Sequence, residues 1–156
     1  MNLSGEVTVR APRQAVFDAV RDARFFASCI DGVHDLVETD PTHYAAWFRT
    51  KLAYMSFTFA VSVEVTAAVP PERIEAKIEG TPLGVVGRLS ARSTTTLREA
   101  GDETAIAYAI EVALTGKLGG LGRPVLTAKA KEMERQFAER LRAAFAPDAE
   151  GRRASA

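Results

Sequence analysis

The sequence predicts an α+β domain in which a curved antiparallel sheet of six to seven strands wraps around one long C-terminal helix, with two short helices after the first strand. Between His43 and Leu114, apolar and polar residues alternate in run after run, as in strands with one buried face. Residues 118–146 instead repeat apolar residues every three or four positions, as an amphipathic helix does. Packing the helix across the concave face of the sheet buries both apolar surfaces.

The elements before the sheet region are one strand and two short helices. Residues 2–9 alternate apolar and polar side chains and predict the first strand. A proline in the first turn favours a helix over about 12–21, because the first turn needs no backbone donor from it. A second short helix is predicted from Ala23–Cys29, with Phe25 and Phe26 turned inward.

Turn signals divide the region from 43 to 114 into consecutive strands. The prolines within 69–72 cannot donate to a ladder and therefore mark a turn. The segment 80–84 begins and ends with glycine, and residues 100–103 read Ala-Gly-Asp-Glu, which is typical of a hairpin. Within each strand the apolar residues take alternate positions, so they share one face of the sheet.

The C-terminal helix carries the clearest pattern in the sequence. Its apolar stripe consists of Leu118, Leu121, Val125, Met133, Phe137, Leu141 and Phe145. Proline is tolerated only near a helix start, so Pro124 predicts regular helix from about Leu121, after a loose glycine-rich segment. Residues 147–156 are short and polar and are expected to form a disordered tail, which leaves a single domain over 1–146.

Composition excludes several function classes. Twenty Lys and Arg balance 20 Asp and Glu over 156 residues, so no net positive field recruits nucleic acid. The single cysteine, Cys29, cannot form an intramolecular disulfide, which favours a reducing compartment. The N-terminus lacks the features of a signal peptide, and no apolar run is long enough to span a bilayer. We therefore expect a cytoplasmic protein.

The sequence offers little for metal or nucleophilic chemistry. Cys29, His34 and His43 are the soft ligands, and their spacing matches no zinc pattern, so neither a metal nor a cofactor is predicted. Cys29 has no basic neighbour in sequence to activate it, and we interpret it as a small buried residue at a helix end. The carboxylates near the two histidines are expected to be solvated loop charges.

A glycine-rich segment precedes the C-terminal helix. Such a segment can bind phosphate, but Gly116-Lys117 is followed by Leu118 rather than Ser or Thr, and no glycine lies five residues earlier. We interpret it as a flexible gate that could open for a ligand. The gate residues are Gly116, Gly119, Gly120 and Gly122.

A sheet that bends around one helix leaves volume that side chains need not fill. The inward residues have two interpretations: ordinary core, or the lining of a ligand cavity. The predicted cavity residues are Phe48, Leu52, Phe57, Phe59, Val61, Ile78, Ile106, Tyr108, Ile110, Val125, Met133 and Phe137. Tyr108 is the one inward polar group singled out, and its hydroxyl either donates to a ligand oxygen or bonds a backbone carbonyl.

Several short motifs occur in a fixed order along residues 1–146. They are Leu3-Ser4-Gly5-Glu6, Ala11-Pro12 with Val16-Phe17, Cys29-Ile30-Asp31-Gly32, Pro70-Pro71-Glu72, Gly80, and Gly116-Lys117-Leu118 with Leu121-Gly122. No single motif is diagnostic, but the ordered set resembles the START-like helix-grip (SRPBCC) superfamily and, within it, the carbon monoxide dehydrogenase G-subunit family. In helix-grip folds the segment before the last helix borders the mouth of a cavity.

The resemblance implies a non-enzymatic accessory protein of molybdenum hydroxylases of the carbon monoxide dehydrogenase type. Such proteins are associated with bringing the enzyme to the inner face of the cytoplasmic membrane and with handling a lipophilic quinone. The implied partners are a hydrophobic small molecule (a quinone or a lipid), a molybdenum hydroxylase complex and, peripherally, the membrane, with no nucleic acid.

Three departures from the family pattern affect these expectations. The family commonly has Cys-Ile-Pro-Gly where this chain has Asp31 in place of the proline, so we expect a less rigid turn. Small residues are common where this chain has Phe57 and Val61, so we expect a narrower cavity. Some members carry a long C-terminal extension with a hydrophobic anchor, whereas this sequence stops at Ala156, so we expect any membrane contact to be peripheral or through a partner.

Two other functions stay open. One is an aromatase or cyclase of polyketide type, for which the inward polar groups on offer are Tyr108, Thr50, Ser93 and Thr95. The other is an adaptor without ligand, whose cavity is closed by Phe57, Phe59 and Val61 and which acts through its surface. Outward Trp47 with Arg49 and Lys51 is a candidate contact patch for a partner or a membrane, or else a single exposed aromatic residue.

Overall fold

The structure, a computed structural model, describes residues 1–146. The predicted tail over 147–156 lies outside the described residues. The strands are β1 (Asn2–Val9), β2 (Val33–Asp40), β3 (His43–Leu52), β4 (Met55–Val69), β5 (Arg73–Pro82), β6 (Gly87–Ala100) and β7 (Glu103–Gly116). The α-helices are α1 (Arg13–Arg21), α2 (Ala23–Ser28) and α3 (Arg123–Phe145), and a 3₁₀ turn covers Lys117–Gly120.

The seven strands form one antiparallel sheet in the order β1-β7-β6-β5-β4-β3-β2. β1 is the one strand that does not pair with its sequence neighbour, because α1 and α2 carry the chain away and β1 pairs with β7 instead. The predicted fold class is therefore confirmed: a curved antiparallel sheet, two short helices after the first strand and a long C-terminal helix.

Strand pairing is irregular at two places in the sheet. The register between β4 and β5 shifts between Val65 and Ala67, which leaves Thr66 as an extra residue, and β2 carries similar shifts against β3. Such bulges increase the local twist and curvature of a strand pair. The bent sheet turns its concave face toward α3, whose backbone approaches β1 most closely and β3 on the other side.

Two apolar clusters fill opposite ends of the space between sheet and helix. The first centres on Val16, Phe17, Ile106 and Leu141 and joins α1 to the C-terminal part of α3. The second is built on Leu52, Phe57, Phe59 and Leu118, next to the start of α3. Between the two clusters, the concave face carries side chains that are only partly buried, and this region is the candidate site.

The long C-terminal helix is two pieces rather than one continuous element over 118–146. The 3₁₀ turn ends before Gly122, whose φ of 82° and ψ of 162° interrupt the helix, and α3 begins at Arg123 with Pro124 in its first turn. Leu118 therefore belongs to the turn, where it is 1% exposed, rather than to the helical stripe. Leu126 and Ala138, which the stripe did not include, are buried on α3.

The two short helices follow the prediction with one correction. Asp22 caps α2, since its carboxylate accepts hydrogen bonds from the backbone N–H groups of Arg24 and Phe25. Phe25 packs against the first cluster as expected. Phe26 is 44% exposed rather than buried, although its ring lies 5.4 Å from that of Phe137.

Candidate functional site

The predicted cavity residues all lie on the two surfaces that face each other across the concave side. Leu52, Phe57, Phe59 and Ile106 are each at most 7% exposed and belong to the core. The other eight keep contact with solvent although they face inward, namely Phe48, Val61, Ile78, Tyr108, Ile110, Val125, Met133 and Phe137. The structure thus divides the predicted set into a core portion and a partly open portion.

The middle of the concave face carries side chains that are only partly buried. Ile78 on β5, Ile110 and Tyr108 on β7, and Met133 on α3 are partly buried, yet they belong to neither apolar cluster. Apolar side chains that face inward but are incompletely covered are typical of a ligand groove. Whether these residues bind a ligand stays a prediction.

A crevice of about 360 Å³ opens between α3 and β3 at the edge of this region. Phe48 and Met133 of the predicted set line it, and they supply its apolar floor. Its rim is polar and is formed by Asp31, Gly32, Arg49, Thr50, Lys51, Ser56, Lys129, Glu132 and Gln136. Lys129 and Glu132 pair across one turn of α3 at 2.5 Å. The crevice therefore combines an apolar interior with a charged opening.

Tyr108 bonds a side chain rather than a backbone carbonyl. Its hydroxyl donates to the Glu134 carboxylate at 2.5 Å, between β7 and α3. Burial, and then the hydrogen bond to the Glu134 carboxylate, raise the pKa of Tyr108 well above its usual value. Tyr108 therefore stays protonated at physiological pH and acts as a hydrogen-bond donor.

Gly5 makes room for this pair. A Cβ atom at Gly5 would meet the Glu134 carboxylate and the hydroxyl end of the Tyr108 ring. The absence of a side chain on β1 at this point lets α3 approach the sheet closely enough for the hydrogen bond. Gly5 therefore allows β1, β7 and α3 to approach one another closely at this position.

Glu134 was missed by sequence reasoning, although the signal was present. It lies three positions before Phe137 and seven before Leu141, so it falls on the buried side of α3. A carboxylate on the apolar side of a helix needs a hydrogen-bond partner, because burying an unpaired charge is unfavourable. Tyr108, which the sequence places inward, is such a partner. The polar rim residues Lys129, Glu132 and Gln136 were also missed, because charged residues on a helix are usually solvated.

A hydrogen-bond network ties the turn after α2 to α3. The Asp31 backbone N–H donates to Gln136 Oε1 at 3.0 Å. Arg140 donates to the Asp31 carboxylate at 2.6 Å and to the Cys29 carbonyl at 2.9 Å. The expectation of a looser turn is not supported, because Asp31 supplies a backbone donor and a carboxylate that a proline lacks.

The predicted gate is anchored at two points. Leu118 is buried in the second cluster, and the Lys117 N–H donates to the Val86 carbonyl at 2.8 Å. Gly116 and Gly122 have positive φ values, of 63° and 82°. Gly119 and Gly120 are exposed; a Cβ at Gly119 would lie in ordinary contact, 3.7 Å from the Leu114 carbonyl oxygen, and a Cβ at Gly120 would meet open space. Gating stays a prediction, with Gly119 and Gly120 as the positions that packing constrains least.

The family model for the G subunit of carbon monoxide dehydrogenase (CoxG) matches residues 5–146, which is nearly the whole described chain. The chain belongs to the CoxG family. The comparison with curated proteins gave no match.

Solved structures similar to this member of the CoxG family share its fold. A conserved protein from Geobacillus kaustophilus has a TM-score of 0.83 and 21% identity, covering 92% of this chain and 93% of that one. The Zhui aromatase/cyclase from Streptomyces sp. R1128 has a TM-score of 0.69 and 14% identity, and the match covers 97% of this chain and 98% of that one. A START superfamily protein from Mycobacterium smegmatis has a TM-score of 0.66 and 13% identity, and the match covers 91% of this chain and 94% of that one. At these identities the likeness establishes the START-like fold alone.

Within the described residues 1–146, no three His, Cys, Asp or Glu side chains come together as metal ligands would. Cys29 is fully buried at the end of α2, and burial raises the pKa of its thiol. In the same part of the chain no helix is both long and apolar enough to cross a bilayer.

His43 and Asp40 form an exposed pair at the far end of the sheet, with Nδ1 and Oδ1 2.9 Å apart. The hydrogen bond from His43 lowers the pKa of Asp40 to about 2, and the bond to Asp40 raises the pKa of His43 above 6.5. The histidine contribution to stability is present below pH 6.5 and is lost as pH rises through the raised pKa. The aspartate contribution is present above pH 3.8 and is lost as pH falls toward 2.

We expect Asp40→Asn to lower the pKa of His43, because it removes the carboxylate that stabilises the imidazolium. An NMR titration of the His43 ring measures this change. Glu64→Gln is the control: Glu64 lies 3.7 Å from His43 Nε2 and makes a smaller contribution, so its substitution should lower the pKa less. An unchanged His43 pKa in Asp40→Asn would rule out the pairing in solution.

Proposed function

We propose that this protein is a non-enzymatic accessory protein that binds a lipophilic molecule, a quinone or a lipid, between α3 and the concave face of the sheet. The observation that carries the proposal is the incompletely covered apolar middle of that face, around Ile78, Ile110 and Met133. A folded chain normally covers such residues, and a hydrophobic ligand would complete the coverage.

The partner enzyme follows from family membership. The family is that of a carbon monoxide dehydrogenase component, which supports association with a molybdenum hydroxylase of that type. A protein that holds a quinone could bring it to the enzyme as an electron acceptor, and one that contacts lipid could bring the enzyme to the inner face of the cytoplasmic membrane. The quinone-carrying role requires the apolar groove to be occupied and emptied reversibly.

The Tyr108–Glu134 pair gives the groove a polar end. While the Tyr108 hydroxyl donates to Glu134, the oxygens of both groups can still accept a hydrogen bond, which suits a hydroquinone hydroxyl. For an oxidised quinone carbonyl, the Tyr108 hydroxyl would have to turn away from Glu134 and donate to the ligand. The pair can therefore serve either redox state of a quinone, with different hydrogen-bond directions.

Solvent extraction of the purified protein, followed by mass spectrometry, tests the proposal. We expect a quinone or lipid in stoichiometric amount, or saturable binding of added menaquinone or ubiquinone. Reproducible absence of a ligand, together with no binding of either quinone, would reject ligand binding and favour the adaptor hypothesis. Under the adaptor hypothesis, Phe57 and Phe59 are core residues that close the predicted cavity.

We expect Tyr108→Phe to weaken quinone binding roughly three- to tenfold, which corresponds to the loss of one hydrogen bond. Titration of a short-chain quinone by calorimetry measures the affinity. Tyr44→Phe is the matched control, because the Tyr44 hydroxyl donates to the Pro41 carbonyl at 2.6 Å, in the far-end turn between β2 and β3. Equal affinity of wild type and Tyr108→Phe would remove Tyr108 from the site.

A cyclase or aromatase activity is the second candidate, and the Glu134 carboxylate is the observation that favours it. A carboxylate that faces a partly apolar groove beside a protonated tyrosine can serve as a general base or acid. Incubation with a linear polyketide mimic and chromatography of the products separates the candidates. Turnover that disappears in Glu134→Gln supports the enzyme, and bound but unchanged mimic supports the accessory role.

A further inference from the structure

The crevice between α3 and β3 combines an apolar floor with a charged mouth. Phe48 of β3 and Met133 of α3 form the floor, and both side chains are only partly buried. Its volume of about 360 Å³ lies at the lower end of the range for ligand pockets. The space therefore suits a single hydrocarbon chain better than a bulky or two-chain ligand.

The two carboxylates at the mouth are already neutralised by neighbouring cations. Glu132 accepts a hydrogen bond from Lys129 at 2.5 Å, one turn away on α3. Asp31 accepts one from Arg140 at 2.6 Å. Neither carboxylate is therefore left to balance a further positive charge at the mouth.

Two cations at the mouth lack such a partner. Arg49 and Lys51 line the crevice, and within residues 1–146 neither forms an ion pair with a carboxylate. Both are exposed and come from the same edge of β3. The mouth of the crevice thus carries two positive charges that a ligand can neutralise.

The open edge of β3 adds polar donors beside these cations. The Arg49 N–H donates to the Gly32 carbonyl at 2.9 Å, and β2 begins only at Val33. Because hydrogen-bonding directions alternate along an antiparallel strand, the Lys51 N–H points toward the same edge, beyond the end of β2. Ser56, which faces Lys51 in the ladder with β4, contributes a hydroxyl to the rim. These groups are all able to donate to an anion.

We propose that the crevice binds an acidic amphiphile, a molecule with one hydrocarbon chain and an anionic head group. The chain lies on Phe48 and Met133, and the head group binds Arg49 and Lys51 through charge-assisted hydrogen bonds. A neutral ligand would cover the floor but leave both cations without a partner. The inference rests on the proposed function, because the ligand occupies the same groove, and it specifies the chemical class of that ligand.

Exposed cations alone do not identify a site, since most lysines and arginines are solvated. Lys77 and Arg92 illustrate the difference: they face each other across β5 and β6, are exposed, and form no ion pair within residues 1–146. They lie on the outer face of the sheet, because the adjacent Ile78 and Ala91 face inward. They have no apolar floor beside them, and they serve as the control below.

Calorimetric titration of the full chain with a matched ligand series tests the proposal. The series is decanoate, decyl phosphate, decanol and decyltrimethylammonium, each below its micelle-forming concentration, together with inorganic phosphate. We expect the two anionic amphiphiles to bind roughly fivefold or more tightly than decanol, and the cation to bind most weakly. Added salt should weaken binding of the anions but not of decanol. The tighter of the two anions identifies the head group as a fatty-acid carboxylate or a phosphate ester.

Charge-removing variants locate the binding. Arg49→Gln combined with Lys51→Gln should weaken binding of the anions roughly fivefold and leave the affinity for decanol unchanged. Lys77→Gln combined with Arg92→Gln is the matched control, because it removes the same two charges from the outer face. A loss confined to the crevice variant supports the proposal, whereas equal losses in both variants would overturn it as an effect of net charge.

Two results with the unmodified chain would also overturn the proposal. Decanol that binds as tightly as the anions would show that the cations make no contribution. Inorganic phosphate that binds as tightly as decyl phosphate would show that the hydrocarbon chain makes none.

Titration with a short-chain quinone separates this inference from the proposed function. Quinone binding without any preference for the anionic amphiphiles would reject the inference alone. Absence of binding for the quinone and for every member of the series would reject both. A preference for the anions that depends on Arg49 and Lys51, without quinone binding, would uphold the inference and exclude the quinone as the ligand.

Discussion

Leu141→Ala is expected to lower the free energy of unfolding by about 2–5 kcal/mol, the usual cost of deleting a buried leucine side chain. Leu141 is completely buried in the first apolar cluster and comes from α3, whereas most other members of that cluster come from the sheet and α1. The cavity left behind would be bounded by strands that cannot collapse inward, so a value in the upper half of this range is expected.

Chemical denaturation followed by two probes measures this effect. Far-UV circular dichroism follows α3, and the fluorescence of Trp47, the single tryptophan, follows the sheet at β3. Glu139→Ala is the control, because Glu139 is exposed two residues away on the same helix. A loss below about 1 kcal/mol would show that Leu141 does not hold the helix to the sheet. Transitions that separate between the probes would show α3 detaching before the sheet unfolds.

The faces of the sheet could be predicted because the side-chain period of a strand is two. Alternation alone predicts that Phe57, Phe59 and Ile106 face inward, and all three are buried. The pairing of β1 with β7, by contrast, is not encoded in any local pattern. This pairing follows from the need to cover the apolar face of the sheet and the apolar stripe of α3. The fold class could therefore be predicted from the sequence, whereas the detailed packing could not.

The features that sequence reasoning missed depend on contacts between distant segments. Periodicity alone extends the helix back to Leu118, whereas Pro124 predicts regular helix from about Leu121, two residues before the observed start at Arg123. The Tyr108–Glu134 bond joins residues 26 apart, and Asp31 reaches a residue 105 positions away. Trp47, singled out as an exposed aromatic, is partly buried, and Tyr54 holds the exposed position instead.

Under the proposed function, the groove would have two sources of selectivity. Its apolar middle would select for hydrophobic shape, and the Tyr108–Glu134 pair would select for an oxygen at one end. The bulky residues at Phe57 and Val61 fill the end near the predicted gate, where both belong to or pack on the second cluster. A bound ligand would accordingly lie toward Met133 and the crevice, rather than deep under the gate.

Gly116→Ala is expected to destabilise the protein by about 2–5 kcal/mol, because two costs combine there. The φ of 63° with ψ of −141° belongs to a region that essentially only glycine adopts. An added Cβ would also lie 2.5 Å from the Val86 carbonyl oxygen and 2.7 Å from the Gly87 Cα, which are backbone atoms that cannot turn aside. The Lys117 amide should lose its protection from hydrogen exchange, since its bond to Val86 would break.

Two further glycine substitutions serve as controls. They distinguish the effects of backbone conformation, of steric space and of flexibility at the predicted gate. Gly84 also has a positive φ, of 71°, but open space around it, so Gly84→Ala should cost only about 1–2 kcal/mol. Gly120 has neither a positive φ nor a close neighbour, so Gly120→Ala should leave stability unchanged. If the gate works through flexibility, Gly120→Ala will slow quinone release measured by stopped flow. Unchanged release would mean that the glycines of this segment serve packing at Gly116 rather than motion.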